Sequence, residues 1–137
     1  MAAPARTSLT DLQPGHRFPP VTFSLDEAGV LAYLDAVGDA SAAYVELGLA
    51  PPLAVAARAL ASLLDEIELP PGSIHRRQDI ESSGGVAIGA ELTLDASIAG
   101  RSERGEGVFT EIAFEARSDG RTVLEGATTV IVPKGAS

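Results

Sequence analysis

Few side chains in this sequence can carry chemistry, and their types set narrow limits. There is no Cys, which removes thiolate nucleophiles, disulfide frameworks and cysteine-based zinc sites. His occurs twice, as His16 in a turn-like stretch and His75 at the start of a strand-like run. No repeated His/carboxylate spacing accompanies them, so no metal site is expected. No cofactor is expected either, since no G-x-G-x-x-G follows a strand. What remains is Asp39 directly after Gly38, then Tyr44, His75, and the four residues Arg76, Arg77, Arg101 and Arg104. Asp39, just past a helix end, has the position of a turn former. Tyr44 offers a phenol, and an ordinary phenol with a pKa near ~10 shuttles protons poorly at neutral pH beside an imidazole at ~6.5. His75 is either a hydrogen-bonded structural residue or part of a pocket wall. The four Arg suit a compact anion, or else are solvated strand ends paired with Glu81 and Glu103.

Charge and composition narrow the field further. The 137 residues carry a net charge of -9, and Arg76-Arg77 is the only adjacent basic pair. Counterion release from a phosphate backbone needs clustered Lys and Arg, so nucleic acid is not an expected partner. One domain is expected from the length, laid out as a flexible N-terminus over 1–10, a single domain over 11–133 and a tail over 134–137. Hydrophobic residues make up 45% of the chain but aromatics only 4%, with no Trp; the core is therefore built from Ala, Val, Leu and Ile and depends on close backbone approach. The opening MAAPARTSLT lacks the apolar stretch of a secretory leader, so the cytoplasm is the expected location. The apolar run from Leu47 to Leu64 is broken by Pro51-Pro52 and carries Arg58, which makes it a buried helix and no membrane span.

The elements that must position these residues follow from periodicity. Arg17-Phe18 and Val21-Thr22-Phe23 form a short strand interrupted by Pro19-Pro20, which a sheet tolerates at an edge or a strand start. Ser24 and Glu27 have capping-box spacing, and Val30, Leu31, Leu34 and Val37 recur at helical intervals up to Gly38. Gly38 to Ala50 is a loop with one helical turn. Pro52 opens the next helix, apolar almost all round from Leu53 to Ile67 and therefore expected to be enclosed on every side. From Ile74 onward the period becomes two. Leu92, Leu94, Ala96 and Ile98 share one strand face, Val108, Ile112, Phe114 and Ala116 another, and Asp119-Gly120 marks a hairpin. Strands that follow helices without alternating with them define an α+β class. One long apolar helix wrapped by a curved antiparallel sheet of about five strands is the hotdog architecture.

The stretch Val37-Gly38-Asp39-Ala40-Ser41-Ala42-Ala43-Tyr44, followed by Ala50-Pro51-Pro52-Leu53, resembles the MaoC-like hydratase/dehydratase family of hotdog proteins. The similarity continues through Ile74 to Glu81, Ile88 to Leu92 and Arg101 to Gly105, and is closest to the non-catalytic or N-terminal domain type. In competent members a G-D-x-N-P-x-H motif supplies an Asp/His pair that moves water across a 2-enoyl thioester, while a backbone N–H at the start of the central helix polarises the thioester carbonyl. Gly38 and Asp39 match that motif; Ser41 and Ala42 stand where Asn and Pro are expected, and Tyr44 stands where the catalytic His is expected. The resemblance thus implies an incomplete dyad, with Asp39 retained and Tyr44, Pro52, Leu53 and His75 lining an acyl-thioester site.

Three functions are open on this reading. The first is a degenerate or non-catalytic subunit of an enoyl-thioester hydratase/3-hydroxyacyl dehydratase, binding acyl-CoA or an acyl carrier. It would work as a homodimer or as a heterodimer with a catalytic MaoC-like subunit, the pairing of sheets edge to edge being what the resemblance implies. The second is an acyl-CoA thioesterase, which needs a carboxylate near the start of the central helix; the nearest candidates are Glu46, Asp65 and Glu66. The third is a non-enzymatic structural or ligand-binding dimer.

Overall fold

The computed structural model describes residues 7–65 and 67–134. In order, the chain forms β1 (Thr7–Ser8), a 3-10 turn (Leu9–Asp11), β2 (Val21–Ser24), α1 (Glu27–Ala36), α2 (Ala43–Leu47), α3 (Pro52–Leu64), β3 (Ile67–Glu68), β4 (Ile74–Ser82), β5 (Glu91–Arg104), β6 (Gly107–Ser118) and β7 (Arg121–Pro133). A five-stranded antiparallel sheet runs in the order β2-β5-β6-β7-β4, and β1 pairs with β3 in parallel. The class is α+β, as the pattern of periods predicts.

The long strands follow from the alternation. Leu92, Leu94, Ala96 and Ile98 of β5 are buried, as are Val108, Thr110, Ile112, Phe114 and Ala116 of β6 and Leu124, Thr128, Val130 and Val132 of β7. This inner face carries the helices; the other face is wet. Asp119 and Gly120 both take positive φ, 52° and 75°, the backbone that a two-residue hairpin turn with right-handed strand twist requires.

Three expectations need correction. The helix read as running from Leu53 to Ile67 ends at Leu64, and Ile67 belongs to β3. It is also not enclosed all round: Ala54, Val55, Ala56, Ala59, Ser62 and Leu63 are buried, whereas Leu53 is 61% exposed and Ala57, Arg58 and Ala61 face outward. Alanine has no strong preference for either side, so an Ala-rich helix is one-sided without showing it in sequence. The cap of α1 is Asp26 rather than Ser24, its Oδ1 accepting the Gly29 N–H at 2.8 Å. Leu25 before the cap and Val30 in the second turn are both buried, a hydrophobic staple that fixes the helix entry. Finally, of the stretch 1–10 expected to be flexible, residues 1–6 lie outside the described residues, while Thr7–Ser8 pairs with Ile67–Glu68 and Leu9 is a core residue. Of the tail, Lys134 is described and donates its N–H to the Glu106 carbonyl at 2.7 Å; 135–137 lie outside.

The C-terminus of α1 sets the entry to the site. Gly38 has φ +73°. Its N–H donates to the Asp35 carbonyl at 3.1 Å, and the Asp39 N–H reaches back to Leu34 at 2.9 Å, the two bonds of a Schellman motif. A Cβ at Gly38 meets nothing within 4 Å, so Gly38→Ala carries only the left-handed backbone penalty. We expect a loss of about 1 kcal/mol, read as a lowered denaturant midpoint at unchanged slope.

Candidate functional site

Asp39 leaves the Schellman turn with its Oδ1 accepting the Ser41 N–H at 2.8 Å, and Ser41 Oγ accepts the Ala43 N–H at 3.2 Å. Two side chains two residues apart, those of Asp39 and Ser41, thus take up backbone N–H groups ahead of and at the start of a five-residue helix. Both are exposed. The retained carboxylate therefore builds the loop that delivers Tyr44.

Tyr44 is half-buried against the core on α2 and forms part of the wall of a cavity of about 270 Å³. Gly48, at φ +70°, ends α2, and the chain turns back through Leu49 and Ala50. The Ala50 N–H donates to Val86 at 2.8 Å and the Ile88 N–H to Gly48 at 2.9 Å, clipping this segment to the loop after β4. Pro52, first residue of α3, and Val55 one turn later form the floor on the helix side. Ser82, Gly84 and Gly85 close it from the end of β4, and Val123 and Leu124 from β7. The walls are mostly apolar, with the Tyr44 phenol and Ser82 hydroxyl as polar handles. The volume lies at the lower edge of the range for small-molecule pockets.

The structure gathers only part of the predicted set. Tyr44 and Pro52 line the cavity. Asp39 and Leu53 are not among its wall residues, and both are exposed. His75 lies seven residues from Ser82 along the same strand, roughly 20 Å away, so it does not join Tyr44 within one chain. Instead its Nε2 contacts the buried Thr128 hydroxyl. Of the other acids considered, Glu46 is exposed on α2, and Asp65 follows the far end of α3, about 20 Å from Pro52. Glu66 lies outside the described residues.

The four Arg do come together, lining a separate cavity of about 370 Å³ with Phe109. The guanidinium carbons of Arg76 and Arg104 sit 5.6 and 5.1 Å from the Phe109 ring centre, within cation–π range. Their expected carboxylate partners differ: Arg77 pairs with Asp79 at 3.0 Å rather than Glu81, and Glu103 meets Lys134 at 3.7 Å. Among the described residues no group of three or more His, Asp or Glu is placed to hold a metal, and no helix is long and apolar enough to cross a membrane. The cavity walls from Ser82 to Val86 escaped the sequence reading. The Ser82-Ser83-Gly84-Gly85 run announces a turn, but nothing local says what that turn covers.

Solved structures share this arrangement of sheet and helices. The (R)-hydratase PhaJ1 from Pseudomonas aeruginosa superposes with a TM-score of 0.73 at 18% identity, covering 90% of this chain and 84% of that one. For the MaoC-like dehydratase from Rhodospirillum rubrum the values are 0.71 and 19%, over 91% and 95%. The chain has the hotdog fold of the MaoC-like dehydratases. The HadBC (3R)-hydroxyacyl-ACP dehydratase complex from Mycobacterium tuberculosis shares it too, with a TM-score of 0.69 at 22% identity over 84% and 92%. No protein-family model and no curated protein matches the sequence. In this hotdog chain, α2 and the start of α3 bring Tyr44 and Pro52 to one cavity wall, so the segment that resembles the family motif borders this cavity.

Proposed function

We propose that this chain is a MaoC-like hotdog protein that binds an acyl thioester, from CoA or an acyl carrier, without performing hydration by itself. It is the non-catalytic counterpart of an enoyl-thioester hydratase/3-hydroxyacyl dehydratase. The observation that carries this reading is the mostly apolar cavity at the start of α3, where a phenol replaces an imidazole and the nearby Asp39 is tied into a turn. A cavity without an acid–base pair suits binding more than turnover. A two-subunit assembly fits as well, since the HadBC structure of this fold is a complex. The thioesterase reading is weaker, because neither Glu46 nor Asp65 lies on the cavity wall.

Binding is tested with hexanoyl-CoA against CoA alone. Ligand at a hundredfold excess over its dissociation constant stabilises the folded state by about 2.7 kcal/mol, so the thermal midpoint is expected to rise by several degrees with hexanoyl-CoA only. Ala50 is buried on the cavity wall, and Ala50→Phe is expected to fill the space and weaken binding at least tenfold. No response to any acyl-CoA of two to eight carbons overturns the proposal.

A further inference from the structure

We propose that the Arg-lined cavity is a second binding site, for the phosphate group of a small phosphorylated molecule, and that it works independently of the Tyr44 cavity. The two lie on opposite faces of the sheet. Glu111, Thr129 and Arg77 form one cross-strand row on the outer face, away from the helices, and Phe109 lies two residues along β6 on the same face. Ser82, the residue of β4 that borders the Tyr44 cavity, stands opposite buried Leu124 on the inner face. Along the strand it is about 17 Å from Arg77.

The sheet is deformed where it builds this wall. Of the three register irregularities in the five-stranded sheet, two border the cavity, one between His75 and Arg77 and one between Ile98 and Gly100. Adjacent residues of a strand ordinarily point to opposite faces. Arg76 and Arg77 nevertheless both line the cavity, because the irregularity leaves Arg76 outside the ladder and re-aims it. On β5 the second irregularity sets Gly100 opposite Glu111, and a Cβ there meets nothing within 4 Å. The space above the strand is therefore open.

The cations gathered here leave unused the partners that the chain has in surplus. With ten Lys and Arg against 19 Asp and Glu, carboxylates are plentiful, yet neither Arg76 nor Arg104 is paired with one among the described residues. Both guanidinia instead converge on the Phe109 ring, which holds two like charges close together while their N–H groups meet no acceptor of the chain among the described residues. Arg77 gives only its Nε to Asp79, at 3.0 Å, and keeps two terminal nitrogens. Arg101 contributes charge more than grip, since its Nη1 donates to the Leu12 carbonyl at 3.1 Å. The four Arg, set against Glu111 on the wall and Asp79 beside it, leave an excess of two positive charges. A phosphate monoester carries about the same charge with opposite sign near neutral pH, roughly −1.5 to −2. Guanidinium forks take its oxygens two at a time, and Ser102 and Thr129 add hydroxyl donors to the wall. At about 370 Å³ the cavity also has room for the small molecule that bears the phosphate.

Calorimetric titration of the full chain with glycerol 3-phosphate at low ionic strength tests the site. Saturable one-to-one binding is expected, weakening as salt rises, with succinate, a dicarboxylate of similar charge, bound at least tenfold more weakly. Arg76→Gln and Arg104→Gln are each expected to weaken glycerol 3-phosphate at least tenfold, and Phe109→Leu to weaken it severalfold, because the ring that gathers the two forks is gone. Arg117→Gln, at the other end of β6 and paired with Asp95, is the control and is expected to change nothing. No binding, equal binding of succinate, or equal losses from Arg104→Gln and Arg117→Gln overturns the proposal. Hexanoyl-CoA separates a free phosphorylated molecule from the phosphates of CoA itself. Its affinity is expected to be the same with and without saturating glycerol 3-phosphate, and the same in Arg104→Gln as in the wild type; competition of tenfold or more overturns the independence of the two sites. If the wild type binds no acyl-CoA, the thioester reading fails, while the glycerol 3-phosphate titration still decides this site.

Discussion

The purified chain is expected to hydrate crotonyl-CoA at least about a hundredfold more slowly than a hydratase that carries both Asp and His, because positioned acid–base groups contribute roughly 10²–10⁴ in rate. The measurement is the loss of enoyl absorbance under equal conditions. Two observations make the deficit large. The phenol of Tyr44 stands on the cavity wall where the resemblance asks for imidazole. Asp39, moreover, spends Oδ1 on the Ser41 N–H and is absent from the wall. Tyr44→His alone is therefore expected to recover less than tenfold, since a lone imidazole has no carboxylate partner across the same water. A wild-type rate comparable with a competent enzyme would falsify the non-catalytic reading.

How much of this was legible in the sequence depends on whether each element repeats a signal. β5, β6 and β7 alternate over a dozen residues each, and the two-residue Asp119-Gly120 turn needs positive φ at both positions, so sheet and hairpin are readable from pattern alone. β1 and β3 are two residues each and carry no period. The exposed side of α3 is hidden because Leu53, Ala57 and Ala61 look as apolar as the residues that are buried. At the site, Tyr44 and Pro52 are close in sequence and fall together in space. His75 is separated from them by the length of β4, a distance that only the sheet order reveals. The Ser82–Val86 walls depend on a loop meeting residues 48–50 through backbone bonds, which leave no mark on residue type.

The largest stability effect is expected at a residue with no side chain at all. Gly126 lies on the inner face of β7, between Ile80 of β4 and Phe114 of β6. A Cβ there comes 2.1 Å from the Asp79 carbonyl oxygen, 3.1 Å from its carbon and 3.1 Å from Phe114 Cζ. The first of these atoms is backbone, so no rotamer change relieves it: either β4 moves off β7 or the ladder breaks. Gly126→Ala is expected to cost about 3 kcal/mol, the upper end for overpacking, lowering the thermal midpoint by about 10 °C. Gly84→Ala is the matched control, since its Cβ meets only Val123 Cγ1, at 3.8 Å, an ordinary contact; its midpoint should move by no more than about 2 °C. Equal midpoints for the two variants would show that β4 is not held against β7 at this distance. Function should follow the same displacement. β4 continues from Asp79, the residue struck by the added methyl group, to Ser82 on the cavity wall. Gly126→Ala is therefore expected to lose hexanoyl-CoA affinity at temperatures where its core is still folded.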